Sequence, residues 1–303
     1  MNSVKNKKGL SITVVFKAQS LNYGEGIGNI SELKKLTRGD GSVYTYASRQ
    51  ALRYDIVRLG NKMFDWKYDD VVDANQGTVQ FKKELTIKDS EEMDLFGYFR
   101  TTKLENSNTR SAAVRLSNAI ALEEYKNDME FLTNKGLADR IPRHADPVNV
   151  EQHLSYYTYT ITIDLEKIGK DGDVELSSDE KSRRVDQLLD VIKVLNREIR
   201  GREENLSPVF VIGGMYDINS PFFLGRIKLN GKNGEFSIDT EMLKDTTTLT
   251  IGEQSIYDDT RVGMLKNVFK NGNEIDAMFE GKTMNVEDFF KGLKEEVSEY
   301  YKA

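Results

Sequence analysis

The 303-residue sequence contains no cysteine, four prolines, one tryptophan and two histidines. The absence of cysteine excludes disulfides, thiolate zinc sites and a cysteine nucleophile, and fits a reducing compartment. With so few histidines, imidazole chemistry has little to work with. His144 and His153 lie with Asp146 and Glu151 in a polar, turn-prone stretch whose spacing matches no helical or finger-type metal motif, so all four read as ordinary loop residues. No apolar run approaches the length of a membrane span, and residues 1–9 are polar, without the apolar centre of a signal peptide. The expectation is a cytoplasmic protein with no membrane partner. At 38% hydrophobic residues and without low-complexity tracts, the chain is long enough to bury a substantial core.

Charge of one sign is scarce only locally. The net charge is −6, which by itself argues against a polyanionic partner. Its distribution says more: residues 34–58 carry Lys34, Lys35, Arg38, Arg49, Arg53 and Arg58 against Asp40 and Asp55, a local +4. Residues 272–303 carry eight acidic side chains against four lysines, a local −4. Such a chain can hold an anion on one face and stay dissolved through another, or stack head to tail on copies of itself.

The organising stretch is 48–60. Ser48 is a good N-cap and Gly60 a good C′ residue, so the spacing predicts one helix between them. Leu52, Ile56 and Leu59 form its apolar stripe, while Arg49 and Arg53 point away together with Gln50 beside them. Two guanidinium forks beside a helix N-terminus suit a phosphate; a merely solvated face is the plainer alternative.

Before this helix, residues 10–18 alternate strictly and predict a first strand. A glycine-rich loop, 21–29, follows. It is no dinucleotide fingerprint, because that motif must open a helix directly after the strand. Residues 61–155 lack clear periodicity and read as an elaborated insertion, with helical stretches at 112–125 and 127–134 and strands near 79–87. Order returns in a strand over 156–165, with Tyr157, Tyr159, Ile161 and Ile163 on one face; core packing is favoured over base stacking for the two tyrosines. A helix opened by Ser177 and Glu180 and closed by Gly201 comes next, then strands at 208–212 and 222–229 around a Gly213-Gly214 loop. The order predicts an α+β fold compatible with a split β-α-β (ferredoxin-like, RNA-recognition) core, provided a second strand hides in the insertion.

The strand followed by Asn22, the segment Ser48-Arg49-Gln50-Ala51-Leu52-Arg53, Asp94-Leu95-Phe96-Gly97, the stretch 110–120 and Gly213-Gly214 together resemble the seventh CRISPR-associated family, the backbone subunits of Cascade, and its DevR-like type I-B branch. The resemblance implies a modified RNA-recognition palm (about 10–60 and 156–230), a helical fingers insertion from about 61, a thumb hairpin at about 127–155, and a C-terminal elaboration at 231–303. It implies copies stacked in a helical filament along one crRNA, gripping its backbone and presenting it to a target DNA strand. Further implied partners are a guide-end cap, a large subunit and a guide-processing endonuclease. The RNA-binding set it suggests is Asn22, Lys34, Lys35, Arg38, Ser48, Arg49, Gln50, Arg53, Arg110, Arg115, Gly213 and Gly214, with Met129, Phe131 and Leu132 of the thumb touching a neighbour.

No cofactor, metal or catalytic residue is expected on this reading. Trp66, at the start of the fingers, is expected to pack. Two alternatives stay open: an RNase backbone of the type III kind, which would cut with a thumb aspartate (Asp128, Asp139 or Asp146), and a DNA-binding regulator.

Overall fold

The computed structural model describes residues 7–73, 79–101, 108–232 and 234–303, so the first six residues of the polar N-terminal stretch lie outside it. The fold is α+β. Seven elements form its frame: β1 (Gly9–Gln19), α1 (Arg49–Phe64), β2 (Ala119–Ala121), β3 (Leu154–Asp164), α2 (Ser178–Lys193), β4 (Phe210–Tyr216) and α3 (Val286–Lys302).

β1 and β3 are antiparallel over their whole lengths, from Gly9 opposite Asp164 to Gln19 opposite Leu154. β4 flanks β1 and β2 flanks β3, both antiparallel, so these four run β4-β1-β3-β2 within a nine-stranded sheet. β2 lies inside the stretch 61–155. Beyond it lie Val43–Ala47 and, at the edge, Lys35–Thr37; the other edge is built by Arg261–Met264 and Thr283–Met284.

Both faces of the sheet are covered. Leu10, Ile12, Val14 and Phe16 alternate onto one face and join Tyr157, Tyr159, Ile161 and Ile163 under α1, α2 and α3. Phe16 stacks on Tyr157 with ring centroids 5.8 Å apart, so the two tyrosines are core residues. On the opposite face Val15, Tyr156, Phe210 and Ile212 meet Phe223, Leu243, Phe269 and Phe279 of the C-terminal part. α3 is integral to the first layer: Phe289, Phe290 and Leu293 are fully buried. At about 1.5–3 kcal/mol each, they outweigh surface pairs such as Lys193 with Glu287, worth about 0–1 kcal/mol.

Several sequence expectations need correction. α1 does not stop at Gly60 but runs to Phe64, and Asp65 in the left-handed region ends it. Gly60 is needed because Trp66 folds back onto it; a Cβ there would lie 2.2 Å from the indole. Trp66 itself is buried, donating from Nε1 to Gln187 of α2 at 2.8 Å. Residues 112–125 are strands, not helix: Val114–Leu116 and Ala119–Ala121 both pair with the long template β3. Residues 127–134 likewise form a strand, Asp128–Thr133, in an antiparallel hairpin with Pro147–Gln152.

The insertion from 61 to 127 is also less helical than expected. Between the end of α1 and Val114, its described residues hold one α-helix, Glu91–Phe96, one 3-10 turn, and two short ladders joining Val72–Asp73 to Gln80–Phe81 and Tyr98–Arg100 to Asn108–Arg110. Farther along, α2 ends at Lys193, and Arg200-Gly201 form the two-residue turn of the hairpin Asn196–Ile199/Arg202–Asn205, both with positive φ. Phe222 to Gly225 form a turn, and a strand begins only at Leu229.

The groove between α2 and α3 contains an electrostatic fault. Asp186 Oδ1 is buried with no hydrogen-bond partner among the described residues. Burial pushes its carboxyl up to about 6, Lys294 opposes this, and Asp190 one turn on reinforces it. A carboxyl whose folded pKa is raised holds its proton longer in the fold, so stability falls as pH rises from 3.8 to about 6. Asp186→Asn should raise thermal stability in neutral buffer by about 1 kcal/mol, a figure reduced for the group's partial exposure. Melting curves of both forms should converge below pH 3.8.

Candidate nucleic-acid interface

The N-terminus of α1 opens into a cavity of about 480 Å3 whose wall includes Arg49, Gln50, Arg53, Phe96, Arg115 and Leu116. Three elements far apart in sequence build it. α1 supplies its first turn; the helix Glu91–Phe96 supplies Phe96; and Val114–Leu116, held against β3 with Arg115 opposite Thr162, supplies a further guanidinium.

The cations there are not equivalent. Arg53 donates to Glu92 Oε1 from Nη2 at 2.7 Å and from Nε at 3.2 Å, and lies 5.2 Å over the Phe96 ring. Its charge is largely answered within the chain. Arg49 and Arg115 are exposed and enter no ion pair among the described residues. The cleft thus has two free guanidiniums from different elements, with a third held behind them.

The first turn of α1 is also more committed than its sequence suggests. Ser48 caps it, its Oγ accepting from Ala51 N–H at 3.3 Å. The Ser48 N–H donates to Asn22 Oδ1 at 3.0 Å, and the Arg49 N–H donates to Asn118 Oδ1 at 2.9 Å. Asn22 is therefore a brace for the helix start. Asn118 is a second brace that sequence reasoning missed; the only signal was its place in the Ser-Asn break between two short strands.

Other expected residues sit elsewhere. Lys35 is paired with Glu151 at 2.6 Å and lies over the Tyr125 ring. Arg38 is exposed beside the Tyr44 ring, and Lys34 is half-buried on the same sheet edge without an ion pair among the described residues. Arg58 faces away, toward Asn196 and Asp55. Arg110 is enclosed, donating to Asp94 Oδ1 at 2.6 Å and to the Lys167 carbonyl at 2.8 Å, which makes it a structural brace and removes it from the open cleft.

Gly213 and Gly214 do not form a loop: both are buried in β4. A Cβ would lie 2.0 Å from the Ser11 carbonyl at Gly213 and 1.9 Å from the Asp259 carbonyl at Gly214, so the close approach is by the chain's own backbone. The loop that follows, from Asp217 on, reaches an adjoining cavity of about 430 Å3, where Asn219 and Leu224 share the wall with Arg115 and Thr162.

The histidines and acids of 144–153 disperse. His153 is buried with Nδ1 2.7 Å from Thr45 Oγ1, and that burial lowers its pKa. Glu151 receives Leu33 N–H and Lys35, Asp146 pairs with Asn134, and His144 is exposed. Asp139 pairs with Lys135. The hairpin bearing them exposes Met129, Phe131 and Leu132, joined by Leu137 and Ile141 from its tip.

Residues 10–232 match the model of a family described as CRISPR-associated negative auto-regulator DevR/Csa2. A solved structure described as a CRISPR RNA-guided surveillance complex, pre-nicking, superposes with a TM-score of 0.60 at 12% identity, covering 95% of this chain and 100% of the other. A second, described as a CRISPR RNA-guided surveillance complex, gives 0.56 at 14% identity, covering 90% and 98%. At these identities the likeness is one of fold. No curated protein matches the sequence.

Proposed function

This chain belongs to the DevR/Csa2 family of CRISPR-associated proteins, and we propose that it is a non-catalytic backbone subunit of a type I-B-like Cascade. Copies polymerise along one crRNA and hold it for pairing with target DNA. The observation that carries this is the cleft at the start of α1: two unpaired guanidiniums on separate elements, beside a helix N-terminus, face a space open enough for a phosphodiester chain.

The order β4-β1-β3-β2, with helices after β1 and β3, supports a palm of the RNA-recognition type. In this palm the sheet face that commonly carries stacked bases is filled by the C-terminal layer. RNA is thereby directed to the helix-end cleft and gripped by its backbone, so binding is blind to sequence and falls steeply with salt. The hairpin Asp128–Thr133/Pro147–Gln152 serves as the thumb, and the segment from 61 to about 127 as the fingers. The five exposed apolar side chains of the thumb are covered by the next copy, in a head-to-tail contact that does not close. The neighbours' descriptions as RNA-guided surveillance complexes agree with this, and the guide-end cap, large subunit and processing endonuclease are its other partners.

Asp139 is paired with Lys135 and Asp146 with Asn134; the RNase alternative predicts metal-dependent cutting of complementary RNA that an Asp-to-Ala change at Asp128, Asp139 or Asp146 abolishes. The regulator reading is favoured by the family's own description and predicts specific duplex binding by the isolated chain. Native mass spectrometry of protein purified with its RNA tests the proposal. Several copies on one RNA, increasing with RNA length, is the expected result; an RNA-free monomer that prefers a DNA duplex would overturn it.

A further inference from the structure

The two side-chain braces at the start of α1 do more than cap a helix. In an isolated helix the first amide groups are all unsatisfied. Here the Ser48 and Arg49 donors are taken by Asn22 and Asn118, and the Ala51 donor by Ser48 Oγ. Of these four consecutive amides, only Gln50 N–H is left without a partner among the described residues. The cleft wall therefore combines one backbone donor left open, at Gln50, with the guanidiniums of Arg49 and Arg115, a donor set suited to a phosphate group.

Asn118 has a second property that Asn22 lacks. It belongs to the Ser117-Asn118 break that joins the Arg115-bearing strand Val114–Leu116 to β2, and its amide oxygen binds the backbone of Arg49. The break is itself fixed: Ser117 Oγ accepts from Thr160 N–H at 2.9 Å, and Ser117 N–H donates to the Thr160 carbonyl at 3.0 Å. One side-chain hydrogen bond thus ties the two segments that carry the free guanidiniums, next to the backbone pairing of Ala119 with Ala47.

We infer that Asn118 is a positioning residue for the phosphate subsite: it sets the separation of Arg49 and Arg115 and leaves the Gln50 amide as the open backbone donor in the same cleft wall. This rests on the guide-RNA reading and assigns how the two arginines of that site are held. Without the Asn118 oxygen, the Arg49 N–H is freed and the register of the two arginines is left to the backbone ladder that pairs Ala119 with Ala47. A bridge of this kind is worth roughly a single hydrogen bond, so its loss should lower affinity by about tenfold.

The test is a double-mutant cycle on full-length protein, read by binding of fluorescent oligouridylate and, in parallel, by melting temperature. Asn118→Ala should weaken binding about tenfold in the wild-type background and have no further effect in an Arg49→Gln, Arg115→Gln background. Asn118→Ser, which keeps a shorter acceptor, should recover part of the loss. An equal loss in both backgrounds would mean that Asn118 acts only through the fold and would overturn the inference. So would unchanged binding by Asn118→Ala while the double arginine variant binds weakly. If the wild-type chain itself ignores oligouridylate, it is the guide-RNA reading that fails.

Discussion

Reversing both free cations of the cleft, Arg49→Glu with Arg115→Glu, should reduce single-stranded RNA affinity by at least about 100-fold per bound copy at low salt. Two favourable charges become two unfavourable ones, and Arg53, the cation left in the cleft wall, is already engaged by Glu92. Both side chains are exposed, so the fold should be unchanged within about 0.5 kcal/mol. The deficit should shrink as salt is added, because the lost term is counterion release and is itself screened. Arg53→Ala should cost less, since part of its charge is already answered by Glu92. Lys270→Glu, on the C-terminal layer and paired with Glu235, should leave RNA binding intact. Filter binding over a salt series measures all three variants against the wild type. A reversed protein that bound like wild type would place the groove elsewhere.

What could be read from the sequence, and what could not, follows from the range of the interactions involved. The Ser48 cap, the stripe of Leu52, Ile56 and Leu59, and the alternation of β1 and β3 depend on neighbours a few residues away, and each was legible. Where α1 ends was not: Gly60 has the right chemistry for a stop, but the Trp66 indole needs the space a side chain would take. The three-residue strands at 114–116 and 119–121 are too short to show a period of their own and exist because β3 templates them. In the hairpin strand 128–133 every residue is exposed, so no inside and outside could be distinguished. Arg49 and Arg115 were identified singly, but their meeting in one cleft comes from long-range contacts, the pairing of Ala119 with Ala47 and the Asn118 bridge, and the capture of Arg53 depends on Glu92, 39 residues away.

The motif Asp94-Leu95-Phe96-Gly97 illustrates the same limit and yields the largest expected effect on stability. Asp94 is completely buried. Its carboxylate receives Arg110 at 2.6 Å, Arg184 of α2 at 3.0 Å and the Gly169 N–H at 2.9 Å. Gly97 follows with φ +69, and a Cβ there would meet the Arg110 carbonyl at 2.3 Å, so Gly97 keeps the insertion close against its own returning strand. One anion therefore joins the insertion, the 167–170 turn and α2. Arg184 has other acceptors in Glu180 and the Ile87 carbonyl, but neither Asp94 oxygen can be removed without leaving a buried guanidinium undercompensated. Surface pairs are worth about 0–1 kcal/mol, whereas breaking a buried pair from one side costs about 3–5 kcal/mol. Asp94→Ala should therefore lower unfolding free energy by about 3–5 kcal/mol, seen as a fall in denaturant midpoint at unchanged slope. The same substitution should weaken RNA binding at temperatures where the protein is still folded. Glu92 and Phe96, which hold Arg53, ride on the short helix that Asp94 anchors. A loss below about 1 kcal/mol would place this cluster with solvent-screened surface pairs and remove the reason for the motif's aspartate.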